Sequence, residues 1–215
     1  MSRPTANCPN CGAPIEFRFS SAVQTTCPYC QSILVRHDVN LEKVGTVADL
    51  PPEVSPIQLL TEGIYGSKAF QVVGRIIYEY DQGTWNEWHC MTHDGGSIWL
   101  SDAMAQYAIT QLVRPTPILP SLKDFRIQYQ PGSKIKLKGR EYTVTTLTTA
   151  KYRGVEGELP FEYWDKEDAL FADLRTPTPH FGTIDYSEDP ALVFLGEWVE
   201  FDALKMKNLR QFEGW

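Results

Sequence analysis

Four cysteines near the N-terminus constrain this chain more than any other feature, with the spacing Cys8-x2-Cys11-x15-Cys27-x2-Cys30. Two Cys-x-x-Cys turns that face each other offer four thiolates to one ion at ~2.3 Å, and an all-sulfur tetrahedral set suits Zn²⁺. Pro9 and Pro28 occupy the same place in the two turns, where a fixed φ and a missing N–H stiffen the chain just after the first ligand. Gly12 follows Cys11 and can take a positive φ; Gln31 holds the matching place after Cys30. One such ion, held by protein at all four positions, is structural and cannot activate water. A pair of disulfides needs an oxidising compartment, whereas Met1-Ser2-Arg3-Pro4-Thr5 lacks the apolar run of an export signal, so a reducing, cytoplasmic location is expected. A thioredoxin-like redox pair would occur once, near a βαβ pattern, not twice in a short leader.

The expected fold is mainly β: an N-terminal zinc ribbon over residues 1–36, then an all-β domain of two small barrel- or sheet-like halves. Within the ribbon, Ile15, Phe17 and Phe19 alternate with Glu16 and Arg18, Ser20-Ser21 can turn, Val23 to Thr26 return, and Ile33-Leu34-Val35 follow the second cysteine pair. So small a core depends on its metal. Residues 37–56 contain Pro51-Pro52 and Pro56 and read as a linker, able to pack through Val44, Val47 and Leu50.

Residues 57–204 form the β domain, with halves at about 57–114 and 121–204. Phe70 to Tyr80 is β-branched and aromatic, with a bulge expected at Gly74; Asp81-Gln82-Gly83 turns the chain into a partner strand from Trp85 to Met91. Asp94-Gly95-Gly96 then separates that strand from Ser97 to Leu100, and residues 102–108 are expected to make a helical turn capped by Asp102. Pro115, Pro117 and Pro120 mark the crossing to the second half, where strands are expected at 135–138, 141–152, 155–159, 168–174, 181–186 and 192–199. A faint internal echo sets Gly66-Ser67-Lys68, Phe70-Gln71-Val72 and Gly74-Arg75 against Gly132-Ser133-Lys134, Tyr142-Thr143-Val144 and Gly139-Arg140. Residues 205–215 are a C-terminal tail, in which Leu209 and Phe212 fall at helical spacing and could give peripheral membrane or partner contact.

Charge argues against nucleic acid. Residues 1–36 hold Arg3, Arg18 and Arg36 against Glu16, formally +2, which leaves −9 for the rest of a chain whose total is −7. Four thiolates around a divalent ion bring the ribbon to neutrality, so it has no electrostatic footprint for phosphate.

The order of motifs is informative: the cysteine pairs, Gly74-Arg75, Trp85-Asn86-Glu87-Trp88, Gly96 to Leu100, and Gly157-Glu158-Leu159-Pro160. In this order the chain resembles, over roughly residues 57–204, the bacterial family called domain of unknown function 4178. The resemblance implies an N-terminal zinc ribbon and, through gene neighbourhoods linked to membrane stress and polyamines, a partner-binding role; it brings no catalytic residues.

Three candidate sites stand beside the metal ligands Cys8, Cys11, Cys27 and Cys30. On a strand, Trp85, Glu87 and His89 share one face while Asn86, Trp88 and Cys90 share the other, so Trp85, Glu87 and Trp88 are candidates for a partner-binding anchor. Cys90 lies near His89 and His93 as a possible nucleophile, although the same alternation turns His89 away from it. Glu156 and Glu158, with Glu162, Asp165, Glu167 and Asp168, could pair as catalytic carboxylates or simply keep an acidic domain soluble. No phosphate-binding glycine loop, zinc-protease helix or nucleophile elbow occurs. The expectation is a non-enzymatic zinc-binding adaptor or scaffold that docks a protein partner. The alternatives are an enzyme using Glu158 or Cys90 in a pocket between the β halves, and nucleic-acid contact through the ribbon.

Overall fold

A computed structural model describes residues 5–37, 40–47, 50, 54–163 and 167–212. Alternating apolar residues in the cysteine segment become two small sheets: β1 (Thr5–Asn7) pairs with β2 (Pro14–Glu16), and β3 (Gln24–Thr26) pairs with β4 (Ser32–His37). The module does not stop at residue 36, because β5 (Asn40–Thr46) adds a third strand to β4. What the proline content reads as a linker is therefore partly sheet. Val44 and Val47 pack on the domain that follows, as their apolarity suggested, whereas Pro51-Pro52 lie outside the described residues.

The rest of the chain is two antiparallel meanders. The first runs through β6 (Glu62–Tyr65), β7 (Lys68–Tyr80), β8 (Gly83–Thr92), β9 (Ser97–Ala103) and β10 (Gln106–Leu112); the second through β11 (Lys134–Leu137), β12 (Arg140–Gly157), β13 (Ala169–Arg175), β14 (His180–Asp185) and β15 (Leu192–Val199). Two seams join them, β10 with β15 and β7 with β12, so that β7-β8-β9-β10-β15-β14-β13-β12 closes on itself as one barrel. The two meanders are thus two arcs of a single ring. Closure removes the bare strand edges that either arc would expose alone.

The two arcs share a strand order and begin with the same hydrogen bonds. Gln58 N donates to Thr61 Oγ1 (3.1 Å), Leu60 N to Val72 O (2.9 Å) and Val72 N to Thr61 O (2.8 Å). In the second arc Gln130 N donates to Ser133 Oγ (2.9 Å), Gly132 N to Val144 O (2.8 Å) and Val144 N to Ser133 O (2.9 Å). Every residue of the second set lies 72 positions after its counterpart, as Ser133 does after Thr61. Of the echo seen in the sequence, only Phe70-Gln71-Val72 and Tyr142-Thr143-Val144 are true counterparts. Gly66 and Ser67 make the β6–β7 turn and match Lys138-Gly139, not Gly132-Ser133.

Both faces of many strands are covered. Outside the first arc, Phe70, Val72, Trp88, Cys90, Leu100 and Ile109 pack against Ile57 and against Leu204 of a 3₁₀ turn, Phe201–Leu204. Outside the second, Val144, Leu170, Ala172, Leu174 and Val193 pack against Phe125 of α1 (Leu122–Gln128).

Two expectations are corrected. Residues 102–108 are not helical: β9 and β10 meet in a two-residue hairpin at Met104 and Ala105 (φ 49° and 60°), and Asp102 accepts from Ser55 Oγ (2.5 Å) instead of capping a helix. The helix lies after the prolines, where Ser121 accepts from Asp124 N (3.2 Å) as its N-cap. The C-terminal segment is not helical beyond the 3₁₀ turn: Lys207 N donates to Glu62 O (2.8 Å) and Glu62 N to Lys207 O (3.1 Å), which straps the tail to the barrel edge. Among the described residues no helix is long and apolar enough to cross a membrane.

Candidate metal centre and barrel cavity

The two cysteine turns have matching geometry. Gly12 N donates to Cys8 O (2.8 Å) and Gln31 N to Cys27 O (2.9 Å), with Gly12 at φ 75° and Gln31 at φ 57°. A left-handed residue closes each turn so that both sulfurs point to a common centre, and Gln31 takes this conformation without glycine's freedom. Cys8 Sγ lies 3.7 Å from Cys30 Sγ and Cys11 Sγ 3.7 Å from Cys27 Sγ, and all four sulfurs fall within 4.8 Å of one another. Sulfurs held ~2.3 Å from a tetrahedral ion sit about 3.8 Å apart, so the set fits such an ion and leaves it no vacant position. None of the five cysteines is in a disulfide. Ser32 Oγ lies 3.2 Å from Cys30 Sγ, a hydroxyl contact that can steady a thiolate ligand.

This module is welded to the barrel by Glu158, which is 4% exposed. Its carboxylate accepts from Arg18 N (2.9 and 3.0 Å) and Phe19 N (3.3 Å). Beside it, β7 carries its expected bulge, with the register shifting between Val72 and Gly74, and an added Cβ on Gly74 would collide with Glu158 O. Glu158 therefore lines the groove between module and barrel, not a pocket between the β halves, and its oxygens are engaged by backbone donors.

Cys90 also has no access to a cleft. It is fully buried under the outer strap, and burial pushes its thiol far above the usual range. His89 faces the other way, as alternation requires. Its Nδ1 contacts Glu158 O (3.0 Å) and its Nε2 contacts Ser97 Oγ (2.8 Å); burial lowers its pKa to about 4, so it is neutral near pH 7. The nucleophile reading is thus overturned by geometry. Glu156 is the ion-pair partner of Arg75 (2.9 Å), while Asp165 lies outside the described residues.

Of the three candidate anchors, Trp88 is corrected. It is 0% exposed and stacks under the Arg75 guanidinium (4.6 Å), which also donates to Asn86 Oδ1 through Nε (2.9 Å) and Nη2 (2.7 Å). Trp85 and Glu87 remain reachable, but from inside. They line one mouth of the barrel, a cavity of ≈ 540 Å³ whose walls include Phe171, Asp173, Arg175, Thr183 and Trp198. Glu87, Ser101, Phe171 and Thr183 continue into an inner cavity of ≈ 40 Å³, closed at its far end by Phe161 and Tyr163.

The mouth combines acids with an aromatic wall. Glu87 accepts from Ser101 Oγ (2.8 Å) and Trp85 Nε1 (3.1 Å); burial raises its pKa to about 8, and those two hydrogen bonds only partly offset it. Asp173 accepts from Thr146 Oγ1 (2.8 Å) and Thr183 Oγ1 (2.9 Å), and its pKa is also raised by burial. Trp85 stacks on Tyr78 (4.8 Å) and meets Tyr80 (5.5 Å) and Phe171 (5.3 Å) edge-on. Arg175 stands at the rim over the Trp198 ring (4.4 Å). Asp173 went unrecognised in the sequence because only barrel closure, a long-range event, brings it to the cavity of Glu87, whereas Ser101 is the partner of Glu87 across the β8–β9 hairpin and needed only the register of that pair.

A family model described as domain of unknown function DUF4178 matches residues 61–201, which are the barrel from β6 to the 3₁₀ turn. The chain belongs to the DUF4178 family. The DUF4178 match leaves out the cysteine module, so the module is an addition to the family barrel as matched. No curated protein and no solved structure matches the chain.

Proposed function

We propose that this DUF4178 chain is a non-enzymatic, zinc-binding adaptor of the bacterial cytoplasm, and that it grips its protein partner by taking a lysine or arginine side chain into the barrel mouth. One observation carries the reading: Glu87 and Asp173 sit together in a cavity walled by Trp85 and Phe171, not on an outer face. An entering cation draws the proton off Glu87, whose pKa burial raises to about 8, so that the carboxylates then supply the charge complement, and the rings favour a cation over their faces and an alkyl stem beside them. A cavity of this size suits a side chain or a small ligand. Zinc is the ion that suits four sulfurs in a tetrahedral array.

The test uses n-butylammonium and n-butylguanidinium as side-chain mimics, with 1-butanol as the uncharged control. In NMR titrations of the full chain, the Trp85 indole N–H, which donates to Glu87, is expected to shift saturably with either cation and not with the alcohol. Glu87→Gln should abolish the shift. A Trp85 resonance that ignores the cations refutes the proposed grip.

A further inference from the structure

The segment from Glu158 to Tyr163 follows the last residue of β12 and has two faces. On the inner face, Phe161 stacks on Trp99 (5.6 Å, 16° between planes) and the Tyr163 hydroxyl meets that of Tyr78 (2.5 Å). These two rings close the far end of the inner cavity. The outer face is held by the cysteine module, and chiefly by one residue. Gln24, 0% exposed, donates from its backbone N to Leu159 O (3.2 Å) and its backbone O accepts from Leu159 N (2.9 Å). Its side chain accepts from Tyr163 N (2.8 Å) and donates to Tyr163 O (3.1 Å). Val23 N adds a bond to Leu159 O (3.0 Å).

Gln24 is in turn placed by the metal site. It begins β3, a strand of three residues that runs directly into Cys27, and Cys27 N closes the turn on Ser32 O (2.9 Å). Sheets this short do not hold their geometry alone, and an ion that joins the two cysteine turns supplies what the small core lacks.

We propose that the cysteine module is a metal-dependent stopper for the barrel. Metal at Cys8, Cys11, Cys27 and Cys30 fixes β3, Gln24 then fixes Leu159 and Tyr163, and loss of the metal frees Phe161 and Tyr163 to leave the cavity. The coupling is reciprocal: anything that enters the cavity by displacing Tyr163 weakens the hold on the metal by the same factor. This inference rests on the metal reading of the four cysteines and not on the identity of the cavity's ligand.

The test is amide hydrogen exchange on the full chain, with metal content followed by native mass spectrometry. Chelation of the zinc-loaded protein is expected to speed exchange at Leu159 and Tyr163 at least tenfold. Val113 and Val144, whose amides bond to Val193 O and Ser133 O on the barrel wall, should not change. Gln24→Ala, which removes the side-chain bonds to Tyr163 but keeps the backbone pairing with Leu159, should reproduce the faster exchange at Tyr163 while keeping its full metal content. Zinc-bound protein whose Leu159 and Tyr163 amides ignore chelation overturns the stopper, as does equal acceleration at Val113 and Val144. A chain that takes up no zinc at all overturns the metal reading, and the stopper with it.

Discussion

Glu87 carries a cost that pH can reveal. Its carboxyl has a folded-state pKa of about 8 against an ordinary value of 4.5, because burial in the barrel disfavours the charge. A group whose pKa is raised on folding contributes stability that is complete below 4.5 and is lost as pH climbs through 8. Each pH unit inside that window removes ~1.4 kcal/mol, so the wild-type protein loses about 4 kcal/mol between pH 5 and pH 8 from this residue alone. Glu87→Gln keeps one oxygen for Trp85 Nε1 to donate to and turns an amide N–H toward Ser101 Oγ, which a hydroxyl can accept, but it cannot ionise. The two proteins should therefore unfold at similar urea concentrations at pH 5, and the variant should be the more stable by about 3–5 kcal/mol at pH 8. Other titrating groups are common to both chains and cancel in the difference. Urea denaturation of zinc-loaded protein at several pH values measures it. Parallel curves for the two proteins, with no divergence above pH 5, would falsify the buried-carboxylate account.

The remaining predictions concern the parts around the cavity. His89, lowered to about 4 from 6.5, favours the folded state only while neutral, so stability should fall by about 3 kcal/mol as pH drops from 6.5 to 4, and Glu87→Gln should leave this acid limb in place. Native mass spectrometry should find one metal ion per chain, and Cys11→Ser should weaken its retention against a chelator and lower the Tm; unchanged retention would count against a four-sulfur site. Gly74→Ala should cost at least ~3 kcal/mol in thermal or chemical unfolding, since its Cβ meets backbone that cannot step aside. Arg75→Lys keeps the charge but loses the two-pronged bond to Asn86 and the stack on Trp88; a loss of ~2 kcal/mol, or about 4–8 °C in Tm, is expected by calorimetry.

Strand content and the cluster of four cysteines were legible because both are local. Period-two alternation marks β7 and β8, a lone glycine inside β7 marks its bulge, and paired Cys-x-x-Cys turns name their own chemistry. What misled was local in the same sense. Met104 and Ala105 adopt left-handed conformations with no glycine or asparagine to announce a hairpin, and the proline-rich crossing concealed the Ser121 and Asp124 cap. The site itself was half readable. Alternation correctly divided Trp85 and Glu87 from Trp88 and Cys90, but it cannot say which face is outside when a strap covers one side of a strand and a barrel interior lies on the other.

The two seams of the ring have a historical consequence. Each joins counterpart strands, β7 to β12 and β10 to β15, so a chain half this long would present the same two unpaired edges that a second copy of itself could complete. A symmetric homodimer of single arcs is thus a self-consistent ancestor. Joining the copies end to end would release each from obeying the other's sequence, so that a helix packs on the second arc alone while the cysteine module docks where β7 meets β12.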